Sequence, residues 1–122
     1  MLSRVLFISP KAEDAACLVR MLDRISIRCD CASSLREARE RLHETRYGVL
    51  LTESALPDGA WSDVLELARE SSPATDVVVT LPDVDERLWA EVLNCGCYDM
   101  LAQPFSEIEV QRVLSRVCER AA

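Results

Sequence analysis

The sequence has few of the residues that most catalytic motifs require. Its 122 residues include only three glycines, Gly48, Gly59 and Gly96, which stand far apart. Neither G-x-G-x-x-G nor the Walker sequence is therefore present. Each of these motifs forms one of the common phosphate-binding loops, so neither kind of loop is expected. The only histidine is His43, so no Ser-His-Asp triad can be assembled convincingly. We expect no catalytic residue and no enzymatic activity.

Positive charge is also scarce. Asp and Glu number 21 against 14 Lys and Arg, which gives a formal net charge of −7. Nucleic-acid binders need a basic face, and anionic lipid surfaces attract basic segments. No apolar run approaches the roughly 20 residues that span a bilayer, and the N-terminal apolar run is too short for a signal peptide. We therefore expect a cytoplasmic protein that contacts neither nucleic acid nor membrane.

Six cysteines are present, but their spacing does not predict a metal site. Cys29 and Cys31 form one C-x-C pair and Cys95 and Cys97 form another, whereas common zinc sites use two intervening residues. Without an export signal, cysteines are expected to be reduced and to pack as small apolar side chains. We expect no bound metal and no functional disulfide.

Apolar runs and helical periodicities alternate along the chain. The runs 4–9, 47–53, 75–81 and 98–102 predict buried strands, and the alternating segment 25–31 predicts an edge strand. Between and after them, amphipathic patterns predict helices over 12–24, 35–43 and 61–71, from Pro82-Asp83 to Gly96, and after Ser106. The predicted inward stripe of the last helix is Ile108, Val113, Leu114 and Val117. Five alternating strand–helix units predict one doubly wound α/β domain over residues 1–122, with parallel strands.

Ligands of such domains bind at the carboxyl ends of the strands. The residues placed there by the predicted strands are Ser9, Glu53, Thr80 and Gln103. Only Glu53 carries a charge, which is a sparse set for catalysis.

Three segments resemble the receiver domains of response regulators. Residues 50–59 (LLTESALPDG) resemble the phosphoacceptor segment, in which an Asp ends the third strand four residues before a Pro. Residues 77–80 (VVVT) resemble the strand that carries the switch Thr or Ser, and residues 95–105 resemble the Ala-Gly-Ala…Lys-Pro-Phe ending. The resemblance covers the whole chain. It implies a flavodoxin-like (βα)5 fold, strand order 2-1-3-4-5, and a role in two-component or phosphorelay signalling.

The sequence departs from the family at its functional positions. The phosphoacceptor, switch threonine, switch aromatic, lysine and acidic pair fall on Glu53, Thr80, Met100, Gln103, Ser9 and Pro10, and only Thr80 keeps the residue of the family. Mg²⁺ needs several oxygen ligands, so losing the acidic pair implies that its site is lost. The acidic residues 13 and 14 are weak substitutes, because carboxylates in a first helical turn are expected for electrostatic reasons alone. The resemblance thus implies a degenerate pseudo-receiver.

Two interpretations of Glu53 remain open. It stands in, partially, for a phosphorylated Asp and holds one signalling state, or it is a solvated carboxylate in a decayed pocket. Two alternative functions also remain: a regulator that is still phosphorylated, and a sensor whose small-molecule ligand fills the pocket.

A protein without site chemistry is expected to act through a surface. Receivers use the face of the fourth helix, fifth strand and fifth helix to dimerise or bind partners. Trp89 and Leu93 on the fourth helix, and Trp61 at the start of the third, are candidate anchors, because Trp is enriched at binding hot spots. For Trp89, packing in the core is at least as well supported, and Trp61 is equally suited to cover the Glu53 pocket. The expected partners are a histidine kinase, an output protein or a second receiver, including a homodimer.

Overall fold

The computed structural model describes residues 4–72, 74–82 and 85–121. Its helices are α1 (Ala12–Asp23), α2 (Leu35–Glu44), α3 (Trp61–Ser71), α4 (Glu86–Asn94) and α5 (Glu107–Ala121). Its strands are β1 (Arg4–Ile8), β2 (Arg28–Ala32), β3 (Val49–Glu53), β4 (Ala55–Leu56), β5 (Gly59–Ala60), β6 (Asp76–Leu81) and β7 (Asp99–Ala102). Within these ranges no helix is long and apolar enough to cross a membrane.

Five of the strands form one parallel sheet in the order β2-β1-β3-β6-β7. Counted among the sheet strands alone, this order is the predicted 2-1-3-4-5, so the predicted doubly wound fold is confirmed. The register pairs Ile8 with Thr52 and Glu53 with Thr80, so the strands end together at one edge. That edge carries the candidate site.

The sheet is covered by helices on both faces. Val5 and Phe7 of β1 pack in one core cluster with side chains of α1 and α5. Leu6 and Ile8 point the other way, into a second cluster with side chains of α2, α3 and α4. Successive side chains of a strand alternate between faces, so a strand covered on both sides must be apolar throughout. This requirement explains the uninterrupted apolar runs of β1, β3 and β6.

One residue of the predicted α5 stripe faces solvent. Ile108 is 81% exposed, so its predicted inward position is wrong. The buried stripe is Val110, Val113, Leu114 and Val117. Ile108 precedes Val110 by two residues, which places it about 200° away around the helix. An apolar residue in the first turn therefore need not belong to the buried face.

Two predicted boundaries also move. The edge strand was expected from Ile25, but β2 begins at Arg28, because a turn at the end of α1 brings the Ile25 N–H to the Leu22 carbonyl. The helix expected from Pro82-Asp83 begins at Glu86. Its N-cap is Asp85, whose carboxylate accepts hydrogen bonds from the next turn. Pro82 lies before this helix, and residue 83 lies outside the described residues.

The turn predicted after β3 is part of a small antiparallel hairpin, β4–β5. Asp58 at its tip reaches α2, where its carboxylate accepts hydrogen bonds from the N–H groups of Leu35 and Arg36 at 2.8 and 3.0 Å. The first N–H groups of a helix lack partners within the helix. Asp58 satisfies two of them from a distant segment and so fixes the hairpin against α2.

This contact predicts an acid-sensitive contribution to stability. Hydrogen bonds from the Leu35 and Arg36 N–H groups lower the pKa of Asp58 below its ordinary 3.8. The unfolded chain therefore binds the proton more readily, so the stabilisation is present above that value and is lost as the pH falls through the folded pKa. We expect Asp58→Asn to lower the urea midpoint near pH ~6, and the difference from wild type to narrow toward pH ~3.

Asp23→Asn is the matched control. Asp23 is an exposed aspartate at the C-terminal residue of α1, where a carboxylate has no unpaired N–H groups to cap. Its substitution should leave the urea midpoint nearly unchanged at both pH values. A gap between Asp58→Asn and wild type that stays constant with pH would contradict the proposed cause.

Candidate functional site

The predicted strand ends meet at one edge of the sheet. Ser9 follows β1, Glu53 ends β3, Thr80 lies in β6 beside Glu53, and Gln103 follows β7. The first three are buried, with Ser9 and Glu53 each 5% exposed and Thr80 fully buried. Gln103 is half-buried and precedes a cis peptide bond to Pro104. The structure therefore places three polar residues at the same sheet edge as one buried carboxylate.

Both oxygens of the Glu53 carboxylate are engaged. The Ser9 hydroxyl donates a hydrogen bond to Oε2, and the Nζ atom of Lys11 lies 3.5 Å from Oε1. The backbone N–H of Lys11 in turn donates to the Ser9 hydroxyl oxygen at 3.1 Å. A buried carboxylate is tolerated when a cation and hydrogen-bond donors compensate it. The interpretation of Glu53 as a solvated carboxylate is therefore wrong.

Lys11 is the residue that the sequence analysis missed. It lies just before α1 and its side chain is 57% exposed, whereas that of Glu53 is 7% exposed. A long lysine side chain can leave its stem at the surface and bring its ammonium group to a buried partner. The only signal in the sequence is its position, three residues after the end of β1 and directly after Ser9 and Pro10, which replace the acidic pair.

A second polar contact connects β7 to α1. The Gln103 side-chain amide donates from Nε2 to Oδ2 of Asp14 at 3.1 Å. The Gln103 Oε1 and Thr80 Oγ1 atoms are buried without a hydrogen-bond partner. Thr80 therefore lies beside Glu53 in the sheet without a hydrogen bond to it. Of the two acidic residues at the start of α1, Asp14 accepts the hydrogen bond from Gln103, and Glu13 is exposed.

The residues around Glu53 do not fit the Mg²⁺ ion that the receiver resemblance implies. Mg²⁺ binds through carboxylates, waters and other oxygens in near-octahedral geometry. Pro10 offers no side-chain oxygen, the Ser9 hydroxyl donates to Glu53, and the Lys11 ammonium would repel a second cation. Within 4–72, 74–82 and 85–121, no group of three His, Cys, Asp or Glu side chains is arranged to hold a metal ion.

The remaining predicted residues divide between the core and the surface. Met100 is 4% exposed and belongs to the core cluster beneath α2, α3 and α4. Trp61 is 7% exposed in the same cluster, so its role as a surface anchor is wrong. Trp89 and Leu93 are 39% and 40% exposed on α4, where Val92 supplies the buried contact instead.

Comparison with known proteins identifies relatives and structural neighbours, although no protein-family model matches the chain. The Escherichia coli K12 transcriptional regulatory protein DpiA is 31% identical over 90 residues, which are 73% of this chain and 39% of DpiA. The Pseudomonas aeruginosa PAO1 response regulator protein PilR is 28% identical over 83 residues, or 68% of this chain and 19% of PilR. The chain thus spans less than half the length of these curated relatives.

Solved receiver structures share the fold over nearly the whole chain. The beryllofluoride-activated NtrC4 receiver domain superposes with a TM-score of 0.89 at 24% identity, covering 98% of both chains. The Vibrio cholerae chemotaxis response regulator CheY4 superposes with a TM-score of 0.85 at 17% identity, covering 96% of this chain and 99% of its own. Together, the relatives, the fold and the strand order show that this chain belongs to the receiver domains of two-component response regulators.

Proposed function

We propose that this receiver domain is a pseudo-receiver, which signals by binding other proteins and is not phosphorylated at Glu53. It works in the cytoplasm, catalyses no reaction and uses no Mg²⁺. The observation that carries the proposal is the double engagement of the buried Glu53 carboxylate by Ser9 and Lys11. The carboxylate that replaces the phosphoacceptor already has partners for both of its oxygens.

Phosphoryl transfer requires positioning of the acceptor and neutralisation of the charge on the transferred group. The carboxylate oxygens of Glu53 contact the Ser9 hydroxyl and the Lys11 ammonium group. Gln103, at the position of the family's lysine, supplies no positive charge. Glu53 is also longer than Asp by one C–C bond, about 1.5 Å. Each of these differences lowers the transfer rate.

The same contacts favour a fixed resting state over a copy of the phosphorylated state. A phosphoryl group brings more charge than a carboxylate and three acceptor oxygens. Glu53 has two oxygens, which are directed to Ser9 and Lys11, while the Thr80 hydroxyl has no hydrogen-bond partner. Met100 is packed in the core. The switch positions are thus not engaged by Glu53.

The exposed part of α4 is the proposed contact surface. Trp89 and Leu93 are four residues apart, so their side chains are neighbours on one helix face. A partly exposed Trp beside a Leu is a typical anchor for a protein partner. The partners we propose are a histidine kinase, an output protein or a second receiver. The solved NtrC4 receiver is a dimer in its beryllofluoride-activated form, and a second copy of this chain is the first partner to test.

Incubation with acetyl phosphate and Mg²⁺ tests the proposal. We expect no phosphoryl adduct in the intact mass of the wild-type domain. Glu53→Asp alone should also stay unlabelled, because the acidic pair and the lysine remain absent. Mg²⁺ should leave the emission of the buried Trp61 unchanged, since the residues around Glu53 do not fit the ion.

Glu53→Ala provides the control for this experiment. Its folding is checked by circular dichroism, and it should behave as wild type in the labelling reaction. Wild-type labelling that disappears in Glu53→Ala would show that Glu53 is a working phosphoacceptor, and the pseudo-receiver proposal would then fail.

The two contacts of the Glu53 carboxylate should contribute unequally to the free energy of unfolding. Ser9→Ala leaves a buried, charged acceptor without its donor and should lower the free energy of unfolding by about 2 kcal/mol. Lys11→Met removes a cation that is mostly exposed, so its loss should cost only about 0.5 kcal/mol. Urea unfolding followed by circular dichroism measures both effects. Ser62→Ala, at an exposed serine of α3, is the control, and Ser9→Ala matching it would refute the buried hydrogen bond.

The contact surface is tested by the variant Trp89→Ser/Leu93→Ser. Analytical ultracentrifugation of the wild type should show dimers that grow with concentration, and the variant should remain monomeric. Unfolding should change little, because both side chains are partly exposed. Ala16→Ser on α1, exposed on the opposite face of the sheet, should dimerise as wild type does. Equal dimerisation of all three proteins would place the interface elsewhere.

A further inference from the structure

The two C-x-C pairs occupy different backbone settings. Cys95 caps the end of α4, and Gly96 then turns the chain with a positive φ of 104°. Cys95 is exposed as a result, whereas Cys97 lies in the core cluster beneath α4. Burial, with a smaller effect of Cys95, raises the pKa of Cys97 to about 11. This pair has one accessible thiol and one that is buried and protonated.

Cys29 and Cys31 instead share one face of β2. They are two residues apart on a regular strand, paired with Val5 and Phe7 of β1. Both are half-buried, and β2 is an edge strand with β1 as its neighbour in the sheet. The Cys29 thiol donates a hydrogen bond to the Asp30 carbonyl oxygen at 3.5 Å, and Cys31 is its neighbour on the same strand face.

The two thiols are not equivalent. Cys29 packs against the core cluster formed by α1 and α5, whereas Cys31 belongs to neither core cluster. The hydrogen bond from Cys29 lowers the pKa of Cys31 to about 7, although burial and the Asp30 charge act against it. Two charges on α2 have smaller effects on this pKa: Arg41 lowers it and Glu37 raises it. The same hydrogen bond, with burial, raises the pKa of Cys29.

The strand geometry sets how these thiols can combine. Alternate residues of a β-strand have Cα atoms about 6.7 Å apart. Disulfides usually span Cα distances of about 4.4 to 6.8 Å, so this pair lies at the upper limit. Closing the bond requires β2 to bend, which is easier at an edge strand than at the centre of the sheet. A strained disulfide is more easily reduced, so the bond would be reversible.

We propose that Cys29 and Cys31 form a redox-sensitive dithiol, in which Cys31 attacks a low-molecular-weight disulfide and Cys29 completes an intrastrand disulfide. This site is separate from Glu53 and does not depend on the proposed pseudo-receiver function. Cys31 thiolate attacks one sulfur of the reagent, a mixed disulfide forms, and the first reagent thiolate leaves. Cys29 then attacks Cys31, losing its proton and releasing the second reagent thiol. Two protein thiols become one disulfide as one reagent disulfide becomes two thiols.

Oxidised glutathione is the probe for this reaction. The reduced, folded domain is incubated with it near neutral pH, quenched with acid, alkylated and digested with trypsin. Cleavage after Arg28 and Arg36 yields peptide 29–36, which contains only this cysteine pair, while peptide 88–112 contains Cys95 and Cys97. We expect peptide 29–36 to lose two hydrogens and to recover them with dithiothreitol. Peptide 88–112 should keep both thiols or gain glutathione without closing a disulfide.

Single variants separate the two steps. Cys29→Ser should stop at a stable glutathione adduct on Cys31, because the resolving thiol is absent. Cys31→Ser should react slowly, because the remaining Cys29 is packed against the core, where burial disfavours its thiolate. Cys95→Ser is the control, and it should form the disulfide of peptide 29–36 at the wild-type rate.

The rate of the first step provides a test that needs no variant. The lowered pKa of Cys31 raises its thiolate fraction near neutral pH, which outweighs its lower intrinsic nucleophilicity. Cys31 of the folded protein should therefore react about threefold faster than the isolated synthetic peptide 29–36. The proposal is overturned if the folded protein reacts no faster than the peptide, or if it gains glutathione on Cys31 without closing the disulfide.

Discussion

The buried negative charge of Glu53 is the constraint on which this end of the molecule depends. Glu53 closes a strand that has β1 on one side and β6 on the other, and it is 5% exposed. An unpaired carboxylate there would cost several kcal/mol. The charge is tolerated because residues that follow β1 supply the Ser9 hydroxyl and the Lys11 ammonium, while the Lys11 N–H orients that hydroxyl. The β1–α1 connection therefore has a defined position over the end of β3, and both oxygens of the Glu53 carboxylate have partners.

The residues that begin α1 also reach the end of β7. Asp14 accepts the Gln103 amide, just as Lys11 pairs with Glu53, so one short segment contacts two strand ends. In the receiver resemblance, acids follow the first strand and a lysine follows the last. Here a cation follows the first strand and a neutral amide follows the last, so the first charge is reversed and the second is absent. The first arrangement stabilises a metal or phosphoryl group and the second does not, so the pseudo-receiver function that we propose depends on the whole edge rather than on Glu53 alone.

Much of the fold was predictable because burial on both faces of a parallel sheet leaves a direct trace. Val5 and Phe7 face one core and Leu6 and Ile8 the other, so residues 5–8 of β1 are all apolar and the strand is recognisable in the sequence. The contacts that a long side chain makes with a distant segment produce no such pattern in the sequence. Lys11 was missed because an exposed lysine in a connection has no periodicity, and its role follows from a contact with a strand about forty residues later. Ile108 was misplaced and the role of Trp61 stayed open, because apolar character alone does not say whether a residue at the start of a helix turns inward or outward.

The cysteines show how strongly the backbone decides the chemistry of a motif. The two C-x-C pairs are identical in spacing, and neither has the spacing of a common zinc site. On β2 the two side chains share one face, so one thiol can stabilise the thiolate of the other. Around Gly96 the chain reverses, which leaves Cys95 exposed and sends Cys97 into the core, where burial keeps it protonated. Spacing therefore sets only the separation along the chain. Whether two thiols act together depends on the secondary structure between them, and in this protein only the extended strand brings them to the same side.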